Sequence, residues 1–129
     1  MELSKKLANY FLNRLPEDHV CYWDLTFTSG QEERDSSAAA IAVCGLLEIT
    51  KHLPLTDEKK PIYETAALKI MKSLTENYTS KTDPNSNGIL LHSVYNKNKG
   101  NGVDECCLWG DYYYFEALVR LLKDWKLYW

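Results

Sequence analysis

Apolar positions along this chain fall into four stretches with helical spacing, and the stretches are not alike. The first runs from about Leu3 to Leu15. Leu3, Leu7, Tyr10, Phe11 and Leu15 make one stripe, and Lys5, Lys6, Asn9 and Arg14 lie elsewhere on the cylinder. Such spacing predicts a helix with one face in a core and one in water, and Pro16 stops it. The third stretch, about Pro61 to Tyr78, has the same character. Ile62, Ala66, Ala67, Ile70, Met71 and Leu74 form its stripe, with Glu64, Lys69, Lys72 and Glu76 facing away. Pro61 suits the first helical turn, where an N–H would lack an intrahelical partner anyway.

The second and fourth stretches have almost no polar face. The second, Ser36 to Leu53, reads SSAAAIAVCGLLEITKHL and carries no charge from Ala38 to Leu47. Asp35 before it is a natural cap, because its carboxylate can accept the free amides of the first turn. Gly45 costs about 1 kcal/mol relative to alanine in a helix, which predicts a close neighbour there. The fourth, about Tyr112 to Trp125, packs apolar residues all round its axis. Glu116, Arg120 and Lys123 are the exceptions, and Asp111 is placed to cap it. A helix apolar on every side has to be covered on every side. The order is therefore amphipathic, buried, amphipathic, buried.

A plain four-helix bundle would give each helix a wet face. Alternation instead predicts an all-α fold in two layers: a partial toroid of about four alternating outer and inner helices, with residues 1–129 as one unit. Four helices cannot enclose two that are apolar all round, so this chain needs helices supplied from elsewhere.

The connections sharpen this picture. A short link, Pro54 to Lys60, joins the second and third helices. Two long ones, about Pro16 to Asp35 and Thr79 to Gly110, lead into the apolar pair. Loops of that length tend to be functional. Both enter inner helices at their N-termini, so both belong on one rim, where the helix dipoles favour an anion. GILLHSVYNKNKGNG within the second loop predicts a short hairpin.

Composition narrows the classes. Charged residues are 26% and the net charge is -3. Lys59, Lys60, Lys97 and Lys99 do not make the clustered cationic face that nucleic acid requires. No apolar run reaches the roughly 18 residues that span a bilayer, and the first residues lack the pattern of a secretion signal, so a cytoplasmic location is expected. The spacing of Cys21, Cys44, Cys106 and Cys107 fits no zinc pattern. Cys44 reads as a small buried hydrophobe, and Cys106–Cys107 as a reduced structural pair. No metal or cofactor is implied.

Candidate chemistry sits on the rim. Trp23, Tyr95, Asn96, Lys99, Asn101 and Trp109, with Tyr22, His92 and Lys97, combine ring faces with amides and ammonium groups. That set suits a sugar, since rings stack on it and polar groups bond its hydroxyls or acids. Each also has a plainer use. Trp23 and Trp109 can pack beneath their loops, His92 can be a hydrogen-bonded structural histidine, and Asn96 to Gly102 can be a polar turn. Among the carboxylates Asp24, Asp35, Asp104, Glu105 and Asp111, capping accounts for Asp35 and Asp111. A capping carboxylate stays ionised and makes a poor proton donor, so no catalytic residue is assigned.

The stretches YWDLTF, RDSSAAAIAVCGLLEI, ILLHSVYN and GVDECCLWGDYYYFEALVRL, in this order, resemble the unsaturated glucuronyl hydrolases of glycoside hydrolase family 88. The resemblance runs from about Pro16 to Trp129 and concerns the C-terminal third of that family. It implies a six-hairpin (α/α) toroid two to three times this length. It also implies action on lyase-derived glycosaminoglycan oligosaccharides that end in a 4,5-unsaturated uronic acid. An aspartate protonates the C4=C5 vinyl ether, water adds at C5, and the hemiketal opens to release the sugar. The family's two key aspartates precede the part represented here, and Asp35 and Asp111 match its helix-opening aspartates instead. This chain alone is therefore expected to be inactive.

By the same resemblance the loop after His92 lines the subsite next to the unsaturated ring, and Tyr95 stacks on the second sugar. Some members carry a Ser-x-x-Ser-x-Lys sulfate site there. Asn96, Lys99 and Asn101 stand at those positions, which leaves Lys99 to meet an anion. The partners implied are the oligosaccharide and either a complementing N-terminal chain or a second copy. A rival reading is a non-catalytic helical module that binds carbohydrate or pairs with another subunit.

Overall fold

A computed structural model describes residues 1–127. Tyr128 and Trp129, which the family resemblance includes, lie outside the described residues. Four helices form, α1 Glu2–Asn13, α2 Ser36–His52, α3 Lys59–Asn77 and α4 Leu108–Leu122. A two-stranded antiparallel hairpin, β1 Ser93–Asn96 and β2 Asn101–Glu105, stands in the loop before α4. The all-α expectation with a rim hairpin holds. No described helix is long and apolar enough to cross a membrane.

Helix α2 is the hub and packs against both α3 and α4. Its sequence explains why. Ser36, Ser37, Ala39 and Ala40 are small and buried, so neighbouring backbones approach closely. Val43 and Leu46 then meet Ala67, Ile70 and Leu74 of α3 and Ala117 of α4 in one buried cluster. Each fully buried Ile or Leu contributes about 1.5–3 kcal/mol of transfer free energy. Helix α1 lies at the edge, tied to α3 by Lys5–Asp57 at 2.5 Å and by Tyr63, whose hydroxyl donates to Asn9 Oδ1 at 2.9 Å.

Several expectations change. Ala8 is the buried residue of α1, while Leu3, Leu7 and Tyr10 of the anticipated stripe are 68%, 61% and 55% exposed. A small side chain lets α1 sit close to the core, and the larger ones point off the edge; only Phe11, Leu12 and Leu15 pack inward. On α3 the buried face includes Tyr63, and Ile62 is exposed. The predicted neighbour of Gly45 is missing, with nothing near its missing Cβ. Helix α4 starts at Leu108 rather than Tyr112, so Asp111 sits inside its first turn and does not cap it. Glu116, read as a polar exception, is buried.

Both apolar helices are covered on one side only. Ile41 of α2 and Tyr112, Phe115 and Leu122 of α4 remain exposed, Leu122 at 83%. Cys21 and Cys44 are buried and reduced, and burial pushes both thiols up to about 12. Cys106 and Cys107 are also free, with no bond between them.

Candidate functional site

The second rim loop is fastened to the start of both inner helices. At α2, Asp35 Oδ1 accepts from the Ser37 and Ala38 amides at 3.1 and 3.2 Å, which is the predicted cap. The same oxygen accepts from the Ser37 hydroxyl at 2.6 Å and from the Val94 amide of β1 at 3.4 Å. Ser36 donates its amide to the His92 carbonyl and its hydroxyl to the Leu91 carbonyl. At α4, Asp111 reaches backwards instead of capping. Its carboxylate accepts from Leu90 N at 2.7 Å and Ile89 N at 3.0 Å. Loop backbone thus satisfies helix-start side chains, as buried polar groups require.

This fastening sets the hairpin's aim. Tyr95 of β1 is 65% exposed, and its ring centroid lies 5.6 Å from that of Trp109 in the first turn of α4. Trp109 Nε1 donates to Ser37 Oγ at 3.3 Å, so a chain of bonds from Asp35 through Ser37 orients the indole. Gly102 has φ +59 and faces the Tyr95 Cβ, where a side chain would collide. The two rings, with Asn101, Ser93 and Glu105, line an open cleft of about 420 Å³. A larger hollow of about 480 Å³ lies between α1 and α3, lined by Leu12, Leu15, Ile62 and Ala66, and it lacks comparable polar groups.

Of the six residues singled out from sequence, three meet here: Tyr95, Asn101 and Trp109. Asn96 serves the turn, its side chain accepting from the Lys99 amide at 3.1 Å. Lys99 is exposed at the hairpin tip. Trp23 lies on the first rim loop, where its Nε1 donates to Glu32 at 2.9 Å and its ring meets Phe27. It does not line the cleft. Glu33 of that loop pairs with Lys97, joining the two loops, and this bond holds the Glu33 carboxyl below its ordinary value.

A second polar cluster stands behind the hairpin. His92 Nδ1 and Asp104 Oδ1 are 2.5 Å apart, and the His92 ring meets the Tyr78 ring edge-on. Tyr78 donates to Asp18 at 2.7 Å, and Arg34 also bonds Asp18 while stacking on Tyr22. The structural reading of His92 fits this placement. Sequence inspection missed Asp18 and Arg34, because only folding brings together residues 16 apart on an irregular loop. His92 and Asp104 both have positive φ, at 65 and 60, a conformation their identities do not signal.

Chemically, the cleft offers two rings for stacking, an amide and one carboxylate, Glu105. It offers no buried carboxyl poised as a proton donor among the described residues. Asp35 and Asp111 are both loaded with N–H donors, which favours their ionised form.

Known proteins extend this picture. No family model matches the chain. It is 54% identical over 129 residues to the unsaturated chondroitin disaccharide hydrolase of Streptococcus pneumoniae, covering 99% of this chain and 33% of that protein. It is 40% identical over 132 residues to the unsaturated glucuronyl hydrolase of Bacillus sp. strain GL1, covering 100% of this chain and 34% of that protein. This chain is a relative of the unsaturated glucuronyl hydrolases and matches their C-terminal third. The solved structure of an unsaturated glucuronyl hydrolase variant from Streptococcus agalactiae in complex with dGlcA-GalNAc6S superposes with a TM-score of 0.89 at 51% identity. That match covers 97% of this chain and 33% of that one. An unsaturated glucuronyl hydrolase specific for heparin gives a TM-score of 0.83 at 31% identity, over 92% of this chain and 32% of that one. The fold is accordingly a part of the unsaturated glucuronyl hydrolase toroid. The chain spans about a third of the length of the curated unsaturated glucuronyl hydrolases it matches.

Proposed function

We propose that residues 1–129 form the C-terminal part of a six-hairpin glycosidase domain of glycoside hydrolase family 88, and that they build one wall of its substrate cleft. The whole assembly hydrates the C4=C5 bond of an unsaturated uronic acid at the non-reducing end of a glycosaminoglycan oligosaccharide. It works in the cytoplasm. The observation that carries this reading is the Tyr95–Trp109 pair, open to solvent where α2 and α4 begin, in a chain 51% identical to an enzyme crystallised with dGlcA-GalNAc6S.

In this role Tyr95 and Trp109 stack on sugar faces and Asn101 bonds hydroxyls. Lys99 supplies the positive charge at the hairpin tip; Asn96 shapes the turn that carries it, and Trp23 bounds the far side of the rim. Protonating the vinyl ether needs a carboxyl that holds its proton near neutral pH. Asp35 and Asp111 accept too many amides for that, so the proton donor belongs to the segment equivalent to the relatives' other two thirds. That segment is the partner this chain needs.

The test is loss of the double bond's ultraviolet absorbance in an unsaturated chondroitin disaccharide. The chain is assayed alone, then co-expressed with the N-terminal two thirds of the Streptococcus pneumoniae relative. Turnover is expected only in the second case. Turnover by the chain alone would overturn the reading and direct mutagenesis to Asp35 and Asp111. Sugar binding without turnover in both cases would point to a non-catalytic module.

A further inference from the structure

A different part of the molecule carries an inference about how that partner is recognised; it rests on the reading just given. On the opposite half of the two inner helices, away from the sugar rim, three charged side chains meet in the groove between α2 and α4. Arg120 donates Nε to Glu116 Oε1 at 2.8 Å and its NH1 to Glu48 Oε2 at 2.6 Å. The Arg120 and Glu116 side chains are each only 4% exposed. Lys51 and His52 reach Glu48 from the solvent side, and no printed ion pair joins either to Glu116.

The second oxygen of Glu116 is left over. Glu116 Oε2 is buried and has no hydrogen-bond partner among the described residues. The Tyr112 hydroxyl and the Cys44 thiol lie near enough for the carboxylate to oppose their ionisation. The oxygen faces a hollow of about 210 Å³ whose walls include Ile41, Gly45 and Tyr113. A buried carboxylate with one oxygen unsatisfied is unfavourable. In the buried part of this cluster two negative charges share one guanidinium. The missing element is thus a hydrogen-bond donor, and a cationic one.

The surrounding surface says where it comes from. Ile41, Tyr112 and Phe115 beside the groove are exposed apolar side chains on two helices that are otherwise core-like. The relatives continue for another two thirds of their length beyond the part matched here. We infer that Glu116 is the docking acceptor for that remaining segment: one of its helices lies across the α2–α4 groove and points an arginine or lysine at Glu116 Oε2. The apolar contacts supply adhesion. The buried carboxylate sets register, because a helix shifted along the groove would leave the charge unpaired.

The experiment measures association of this chain with the N-terminal two thirds of the Streptococcus pneumoniae relative, co-expressed with one partner tagged. Glu116→Gln keeps the oxygen that bonds Arg120 and replaces the free one by an N–H donor. It should cut recovery of the complex about tenfold, since donor then meets donor. The far-ultraviolet circular dichroism of the variant chain should be unchanged. A joint Glu116→Met, Arg120→Met variant covers the case in which the single change unfolds the chain. An apolar pair of similar size should leave the isolated chain at least as stable, yet still lower recovery. Equal recovery of wild type and Glu116→Gln would overturn the inference while leaving the proposed function intact. Failure of the wild-type chain to associate would overturn both. A dimer of the chain alone that Glu116→Gln dissociates would overturn it in favour of self-pairing.

Discussion

Asp35 Oδ1 accepts from four donors, two helix amides, a hydroxyl and a strand amide, and so joins cap, helix and hairpin in one atom. Replacing an ordinary N-cap by alanine costs about 0.5–2 kcal/mol. Asp35→Ala also releases Ser37 and Val94, and a loss near the top of that range, about 2 kcal/mol, is expected by urea denaturation. Asp18 gives a pH prediction. Burial pushes its carboxyl up, but bonds from Tyr78, Arg34 and the Val20 amide outweigh this and hold it below the ordinary value. A carboxyl depressed in the folded state stabilises fully above its unfolded value of about 3.9, and the gain disappears as pH falls through the lower folded value. Urea midpoints of wild type and Asp18→Asn should therefore converge on acidification from about pH 5 to about pH 2. Parallel curves would show that the Asp18 cluster does not couple to folding.

At the scale of elements, the hairpin depends on Gly102. Its positive φ strains any side chain by about 1–2 kcal/mol, and an added Cβ would press on Tyr95. Gly102→Ala should lower stability by about that amount and turn Tyr95 away from Trp109. The check is sugar affinity of the co-expressed assembly, which should fall more than it does for alanine at exposed Asn98. Helix α1 depends on Tyr63, fully buried in α3, whose hydroxyl reaches across to Asn9. Tyr63→Phe should cost about 1 kcal/mol. Hydrogen exchange should show the loss first in α1, the element with the fewest buried side chains to hold it.

For the whole molecule, the open apolar face is the governing feature. Phe115 and Leu122 are 50% and 83% exposed in the isolated chain. Removing them therefore takes little from its own core but much from its surface adhesion. Phe115→Ser with Leu122→Ser should raise the fraction of monomer in size-exclusion chromatography and leave the melting temperature nearly unchanged. A large fall in melting temperature would mean that these side chains are already covered from within.

Spacing along the chain was enough to place four helices, a rim hairpin and the cap at Asp35. These depend on neighbours in sequence: side-chain period, turn residues and a carboxylate two residues from the amides it accepts. The deficit of covering helices was legible too, because a segment without a polar face states its need for burial whatever provides it. Tertiary structure decided the rest. It chose Ala8 over Leu3 and Leu7 as the buried face of α1, since contact distance and not hydrophobicity selects there. It turned Asp111 from a cap into an acceptor for Ile89 and Leu90, and it gathered Tyr95, Asn101 and Trp109 at one cleft while leaving Trp23 on another loop. It buried Glu116 beside Arg120 with one oxygen open. Such outcomes depend on the direction in which one element meets another, and a one-dimensional pattern holds the period of a helix but not its rotation against a neighbour.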